Sequence, residues 1–140
     1  MTASAVQAIF PPAGDALAVL YDDGRVLLYP KDGNAAPQLL RSPGTPPTGI
    51  VFSLDGSELA EVSAGAVAVR DVATGTLVRN MTVSGACTGD AVRFSVEGDH
   101  VLAWDDRSLC VWQTANGSLV GHWAGNFFSA GMKNGQILTA

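Results

Sequence analysis

The chain repeats itself every 42 residues. Phe10, Phe52 and Phe94 share that spacing, as do Gly14, Gly56 and Gly98, and again Gly33, Gly75 and Gly117. Three independent landmark series on one period leave little room for coincidence. A period of about 40 to 45 residues with strand-like content marks stacked four-stranded units, none of which can bury its apolar faces alone.

Each copy has the same internal order. A short strand ends in Phe (Val6 to Phe10, Thr48 to Phe52, Ala91 to Phe94) and a glycine turn follows at Gly14, Gly56 or Gly98. The second strand runs Ala16 to Leu20, Glu58 to Val62 and His100 to Trp104. A second turn is Asp22-Asp23-Gly24, Ser63-Ala64-Gly65 and Asp105-Asp106-Arg107. The third strand (Val26 to Tyr29, Ala66 to Val69, Leu109 to Trp112) does not alternate apolar with polar residues, which predicts burial on both faces. A third turn, carrying Gly33, Gly75 or Gly117, leads to a weaker outer strand around Leu39, from Leu77 to Met81, and around Leu119. A polar outer strand is the expected protection for the sheet edge.

Short four-stranded sheets buried on both faces and repeated in line are the material of a β-propeller. The fold class expected is therefore all-β: three four-stranded blades at about 5–47, 48–89 and 90–125, and the start of a fourth at about 126–140. Gly or Pro interrupts every window of about ten residues, which excludes helical repeats. A plain β-sandwich has no reason to keep a constant period.

The copies resemble WD repeats over nearly the whole chain. Phe52-Ser53-Leu54-Asp55-Gly56 and Phe94-Ser95-Val96-Glu97-Gly98 are similar to the Phe-Ser-Pro-Asp-Gly turn of that family, and Tyr21 to Tyr29 is similar to its second turn entering the third strand. The family's Trp-Asp pair falls on Tyr29-Pro30, Arg70-Asp71 and Trp112-Gln113, so no copy holds both residues and the repeats are degenerate. Its structural Asp maps onto Asp23 and Asp106, with Ala64 in the middle copy. Gly121-His122 stands either as the Gly-His pair of a fourth copy or in the outer strand of the third. The resemblance implies a His–Asp–Trp hydrogen-bond chain that no copy here can complete, so apolar packing must carry the stability.

The count of copies does not close a ring, which takes about four to eight blades. Three explanations follow: a segment of a larger propeller, association with itself or another chain to complete the ring, or an unclosed partial propeller.

Composition and motifs bound the function. At 47% hydrophobic and 15% charged the chain is too apolar for disorder. The net charge is −5 with no Lys/Arg cluster, which argues against nucleic-acid binding. No stretch reaches membrane-spanning length and no leader pattern opens the chain, so a soluble cytoplasmic protein is expected. Cys87 and Cys110 are too few for a disulfide scaffold and are expected as free thiols. His100 and His122 lack metal-ligand spacing partners, and no nucleophile elbow or phosphate loop is present; no metal, cofactor or enzymatic activity is expected. Asp71-Val72-Ala73-Thr74-Gly75 matches part of a quinoprotein-propeller motif, but Arg79 stands where Trp is required.

What remains is an interaction surface. Asp22, Asp23 and Arg25, echoed by Asp105, Asp106 and Arg107, share one rim of the expected propeller and form the candidate binding rim, although Asp in such turns also serves the backbone. The Pro-rich stretch from Arg41 to Thr48 reads as a stiff connector or a docking loop. The function expected is a non-catalytic protein-binding scaffold. The alternative is the propeller segment of a larger regulatory protein, similar to the degenerate propellers of translation-initiation factors.

Overall fold

The computed structural model describes residues 3–139 except 13, 15, 34, 64, 65, 83–90, 128 and 129, and the backbone alone at 82. The turn at 64–65 and Cys87 lie outside the described residues.

The described chain is all-β, with fourteen strands and no helix. The first sheet comprises β1 (Ala5–Ile9), β2 (Ala16–Tyr21), β3 (Val26–Pro30) and β4 (Gln38–Arg41). The second holds β5 (Gly49–Phe52), β6 (Glu58–Ser63), β7 (Ala66–Asp71) and β8 (Leu77–Thr82); the third holds β9 (Ala91–Phe94), β10 (His100–Trp104), β11 (Ser108–Gln113) and β12 (Leu119–Ala124). A two-stranded fourth sheet pairs β13 (Ala130–Lys133) with β14 (Gln136–Thr139). Every sheet is an antiparallel meander in chain order. In all three full sheets the register slips once between the third and fourth strands, at Val26/Leu27, Val69/Arg70 and Val111/Trp112. The second and third copies slip at the same repeat position, whereas the first slips two residues earlier along its third strand.

Turn chemistry sets these meanders. In the second copy Ser53 Oγ accepts from the Glu58 N–H at 3.0 Å, and Gly56, at φ 74°, closes the turn back onto the Ser53 carbonyl at 3.0 Å. Ser95 repeats the first contact with the His100 N–H at 3.0 Å, and Gly98 takes φ 79°. Only glycine adopts that conformation without strain. Gly33, the first member of the third glycine series, does not share the positive φ of Gly75 and Gly117.

The core lies between sheets rather than within any one of them. On a strand successive side chains point to opposite faces. Ala18, Leu20, Val26 and Leu40 of the first sheet meet Ile50, Phe52 and Leu59 of the second. The other face of the second sheet (Ala60, Val62, Val67, Val69, Met81) meets Val92, Phe94, Val101, Ala103, Cys110 and Trp112 of the third. The other face of the third (Leu102, Trp104, Leu109, Val111) meets Ala130 and Met132 of the fourth. Each sheet therefore presents a front to the preceding copy and a back to the next. The first strands of consecutive sheets are neighbours, and the Gln7 side chain bridges β1 to β5 by accepting from the Ile50 N–H at 3.0 Å.

Three expectations need correction. β11 is buried on both faces but β3 has only Val26 buried, because among the described residues no sheet covers the front of the first copy. The outer strand β12 is exposed yet not polar: Leu119, Val120 and Trp123 are 41%, 48% and 41% exposed. Cys110 is disulfide-bonded rather than a free thiol; a count of two excludes a scaffold of bridges but not a single one.

The equivalent phenylalanines separate position from context. Phe52 and Phe94 are 6% and 5% exposed, whereas Phe10 is 69% exposed. Replacing Phe52 or Phe94 with Ala is expected to cost about 3–5 kcal/mol in urea unfolding, and Phe10→Ala no more than about 0.5 kcal/mol.

Candidate functional site

The sheet meanders bring the second turns of the first and third copies to one end of the stack, together with the connector between the first two sheets. The Pro-rich connector is pinned there. The Gly44 N–H donates to the Asp23 carbonyl at 2.9 Å, and Arg41 reaches the carbonyls of Gly24 at 2.6 Å and Thr45 at 2.8 Å. Gly24 takes φ 90°, and a β-carbon there would lie 2.3 Å from the Gly44 carbonyl oxygen. The stretch from Arg41 to Thr48 is thus a clamped connector.

The predicted rim residues occupy this end but do not form one patch. Asp22 is exposed and caps the N-terminal segment, accepting from the Ser4 N–H at 3.0 Å. Asp23 pairs with Arg25 at 2.7 Å, and hydrogen bonds from the Arg25 backbone and side chain hold its carboxyl below the usual aspartate range. The Arg25 guanidinium lies 5.2 Å from the centre of the Tyr21 ring. In the third copy Asp105 is buried: its Oδ1 accepts from the Arg107 and Ser108 N–H groups at 2.7 and 2.9 Å. Its carboxylate locks the turn and is turned away from solvent, leaving Asp106 and Arg107 exposed. The two clusters sit on the first and third sheets, with the second sheet between them.

The remaining repeat positions hold structural places. Tyr29 Oη lies 2.6 Å from Tyr21 Oη. Asp71 Oδ1 caps a turn by accepting from the Ala73 N–H at 2.8 Å. Gly121-His122 belongs to the outer strand of the third sheet, where His122 is exposed and pairs in register with Cys110. Trp112 is 1% exposed, and its indole Nε1 has no hydrogen-bond partner among the described residues.

A charged cluster that the repeat reading passed over sits between the first two sheets. Glu61 on β6 is 3% exposed and pairs with Arg70 of β7 at 3.2 Å and with Arg41 of β4 at 3.5 Å. The Arg41 contact crosses from one sheet to the next. Arg70 also donates to the Gly75 carbonyl at 3.3 Å. A signal was available in the sequence. Glu61 stands where the other copies carry Val19 and Ala103, and Arg70 where they carry Tyr29 and Trp112. Two opposite charges replace apolar residues on one face of one copy. Burial dominates the two arginines and raises the Glu61 carboxyl above the usual glutamate range.

Cavities add no reactive constellation. A groove of about 510 Å³ runs between the first strands of three sheets, lined by Gln7, Leu20, Ile50, Val92 and the Pro46–Thr48 connector, and among the described residues Asp22 is its one ionisable lining residue. Among the described residues no three His, Cys, Asp or Glu side chains are grouped to hold a metal ion. No protein-family model and no curated protein matches the chain.

The acidic groups predict opposite pH responses. Ionisation of Glu61 opposes folding, so its contribution falls as pH rises from about 4.3 toward the raised pKa. Unfolding midpoints measured across that window should show this decline in the wild type and not in Glu61→Gln. Arg70→Ala removes the nearer of the two guanidinium partners of a buried carboxylate and leaves Arg41 at 3.5 Å, so it is expected to cost less than the about 3–5 kcal/mol of a buried pair broken outright. Asp55 behaves in the other sense. Hydrogen bonds from the Ser57 backbone and hydroxyl, then from Ser53, lower its pKa to about 2, so its contribution is present at neutral pH and is lost as pH falls through the acid range toward that value. Carboxyl NMR titration is expected to place the Asp55 midpoint at about 2, well below the ordinary aspartate range.

Proposed function

We propose that the chain is a degenerate WD-like β-propeller segment, three blades and the beginning of a fourth, that serves as a non-catalytic platform for a protein partner. The observation that supports this most is the front-on-back stacking of the copies, with Phe52 and Phe94 buried at equivalent places between consecutive sheets. Rigid stacked sheets hold turns and connectors at fixed positions, and loops on a rigid scaffold commonly carry binding. The fold alone does not name a partner.

Within this reading the partner meets the end of the stack where Asp22, Asp106 and Arg107 are exposed. Asp105 contributes by holding its turn rather than by contact. The clamped Pro-rich connector borders the same surface. No described helix is long and apolar enough to cross a membrane. The disulfide at Cys110 is a bond that persists mainly in oxidising compartments, so a reducing cytoplasm is not the compartment it favours.

The test is cross-linking mass spectrometry with the tagged full chain, in parallel with an Asp22→Lys, Asp106→Lys, Arg107→Glu variant of unchanged thermal midpoint. A partner that cross-links at this end and is lost from the variant supports the proposal. A partner retained by the variant, or one that cross-links at the opposite end, contradicts the assigned surface.

A further inference from the structure

Two Asn-Gly pairs stand in the chain, Asn116-Gly117 and Asn134-Gly135, and both asparagines are exposed in turns. In this dipeptide a main-chain nitrogen readily attacks the neighbouring side chain, because glycine puts no β-carbon in the way. The two sites differ in what holds that nitrogen. The Gly117 N–H donates to the Gln113 carbonyl at 2.8 Å, and Asn116 Oδ1 accepts from the Ser118 N–H at 2.9 Å, so both reacting groups are engaged. A β-carbon at Gly117 would lie 3.1 Å from Met81 Cγ, so that turn also rests against β8. Gly135 is in open space, with no atom within 4 Å of a β-carbon placed there, and among the described residues its N–H meets no acceptor.

The exposed pair is also the one that its hairpin requires. β13 and β14 are joined by Asn134 and Gly135 alone, at φ 52° and 74°. A two-residue hairpin of this kind takes positive φ at both places, which Asn-Gly supplies best. Asn134 is the one non-glycine residue with positive φ among those described.

We propose that Asn134 is a site of spontaneous deamidation by water, whose products loosen the fourth sheet. The Gly135 nitrogen attacks Asn134 Cγ, a C–N bond forms, and the side-chain nitrogen leaves as ammonia with the Gly135 proton. Water then opens the five-membered imide. Addition at Cγ restores the ordinary backbone with aspartate at this position. Addition at the main-chain carbonyl breaks the original peptide bond and leaves the chain running through Cγ as isoaspartate. Either product gains a carboxylate, and nothing is oxidised or reduced.

The new charge arises beside an existing one. The Asn134 N–H donates to Glu97 Oε1 at 2.5 Å, which ties this turn to the third sheet. A carboxylate at Asn134 repels that of Glu97. The isoaspartyl link also adds a methylene to a two-residue turn, which then no longer fits the pairing of Lys133 with Gln136. β13 keeps its place, since the Val96 N–H donates to the Met132 carbonyl at 2.8 Å and Ala130 and Met132 are buried. β14 has only the half-buried Ile137 against the third sheet's cluster, so it is the strand that comes loose.

The experiment holds the full chain at mildly alkaline pH over days and reads deamidation and isoaspartate at each asparagine by peptide mass spectrometry. Engagement of the Gly117 N–H in one backbone hydrogen bond is expected to make Asn134 convert about two- to tenfold faster than Asn116 in the folded chain. The two rates should converge in urea. Hydrogen exchange on the aged chain should be faster across β14 and unchanged in β6 and β10. Asn134→Gly, which keeps a residue suited to positive φ, should retain β14 protection through the same incubation. Asn116 converting as fast as Asn134 in the folded chain overturns the site. A rate difference that persists in urea overturns its structural cause. Exchange across β14 that is unaltered by conversion, or that rises equally in Asn134→Gly, overturns the consequence.

Discussion

Everything in this molecule depends on apolar contact between the front of one sheet and the back of the one before it. A four-stranded meander of such short strands has two apolar faces and no interior, so it cannot be stable alone. Stacking gives every inner sheet two covered faces, which is why β11 can be apolar at consecutive positions while β3 remains half-exposed with a closely similar sequence. The exposure of Phe10 against the burial of Phe52 and Phe94 expresses the same constraint in one residue type. Position in the repeat determines what a side chain is shaped to do, and the neighbouring sheet determines whether it does it.

Polar contacts are subordinate to that stacking, and they differ from copy to copy. The interface between the first two sheets carries the buried Glu61, reached by Arg70 from its own sheet and by Arg41 from the preceding one. The interface between the second and third sheets carries Trp112 instead, with an indole N–H that lacks a partner among the described residues. Neither copy contains the shared polar chain that the resemblance to WD repeats implies, and the Glu61 cluster is a local substitute on one interface. A buried ion pair of this kind opposes desolvation with attraction and is better at fixing which faces meet than at adding stability.

Much of the fold was legible because turns are a matter of local chemistry. Gly56 and Gly98 mark hairpins whose positive φ and serine hydrogen bonds recur in both copies. Strand order and approximate boundaries followed from those landmarks. Features set by contact between distant segments were not legible in the same way. The pair Asp105-Asp106 reads as two equivalent carboxylates, but only the fold turns Asp105 inward to bind two backbone N–H groups and leaves Asp106 in solvent. The bond at Cys110 depends on proximity in space that spacing in sequence does not encode. Glu61 and Arg70 lie between these cases: their departure from the apolar pattern was visible, but its meaning required the second sheet and Arg41.

The central claim is that the 42-residue copies stack front on back around separate inter-sheet clusters rather than one common core. Methyl-selective NOE spectroscopy on the isotope-labelled chain tests it directly. The account predicts contacts from the Phe52 ring to the methyl groups of Leu20 and Leu40, and from the Trp112 ring to those of Val67 and Met81, with no contacts joining the two sets. Phe52 and Trp112 reporting on a shared set of methyl groups would contradict it, since that is the signature of a two-layer sandwich with a single core.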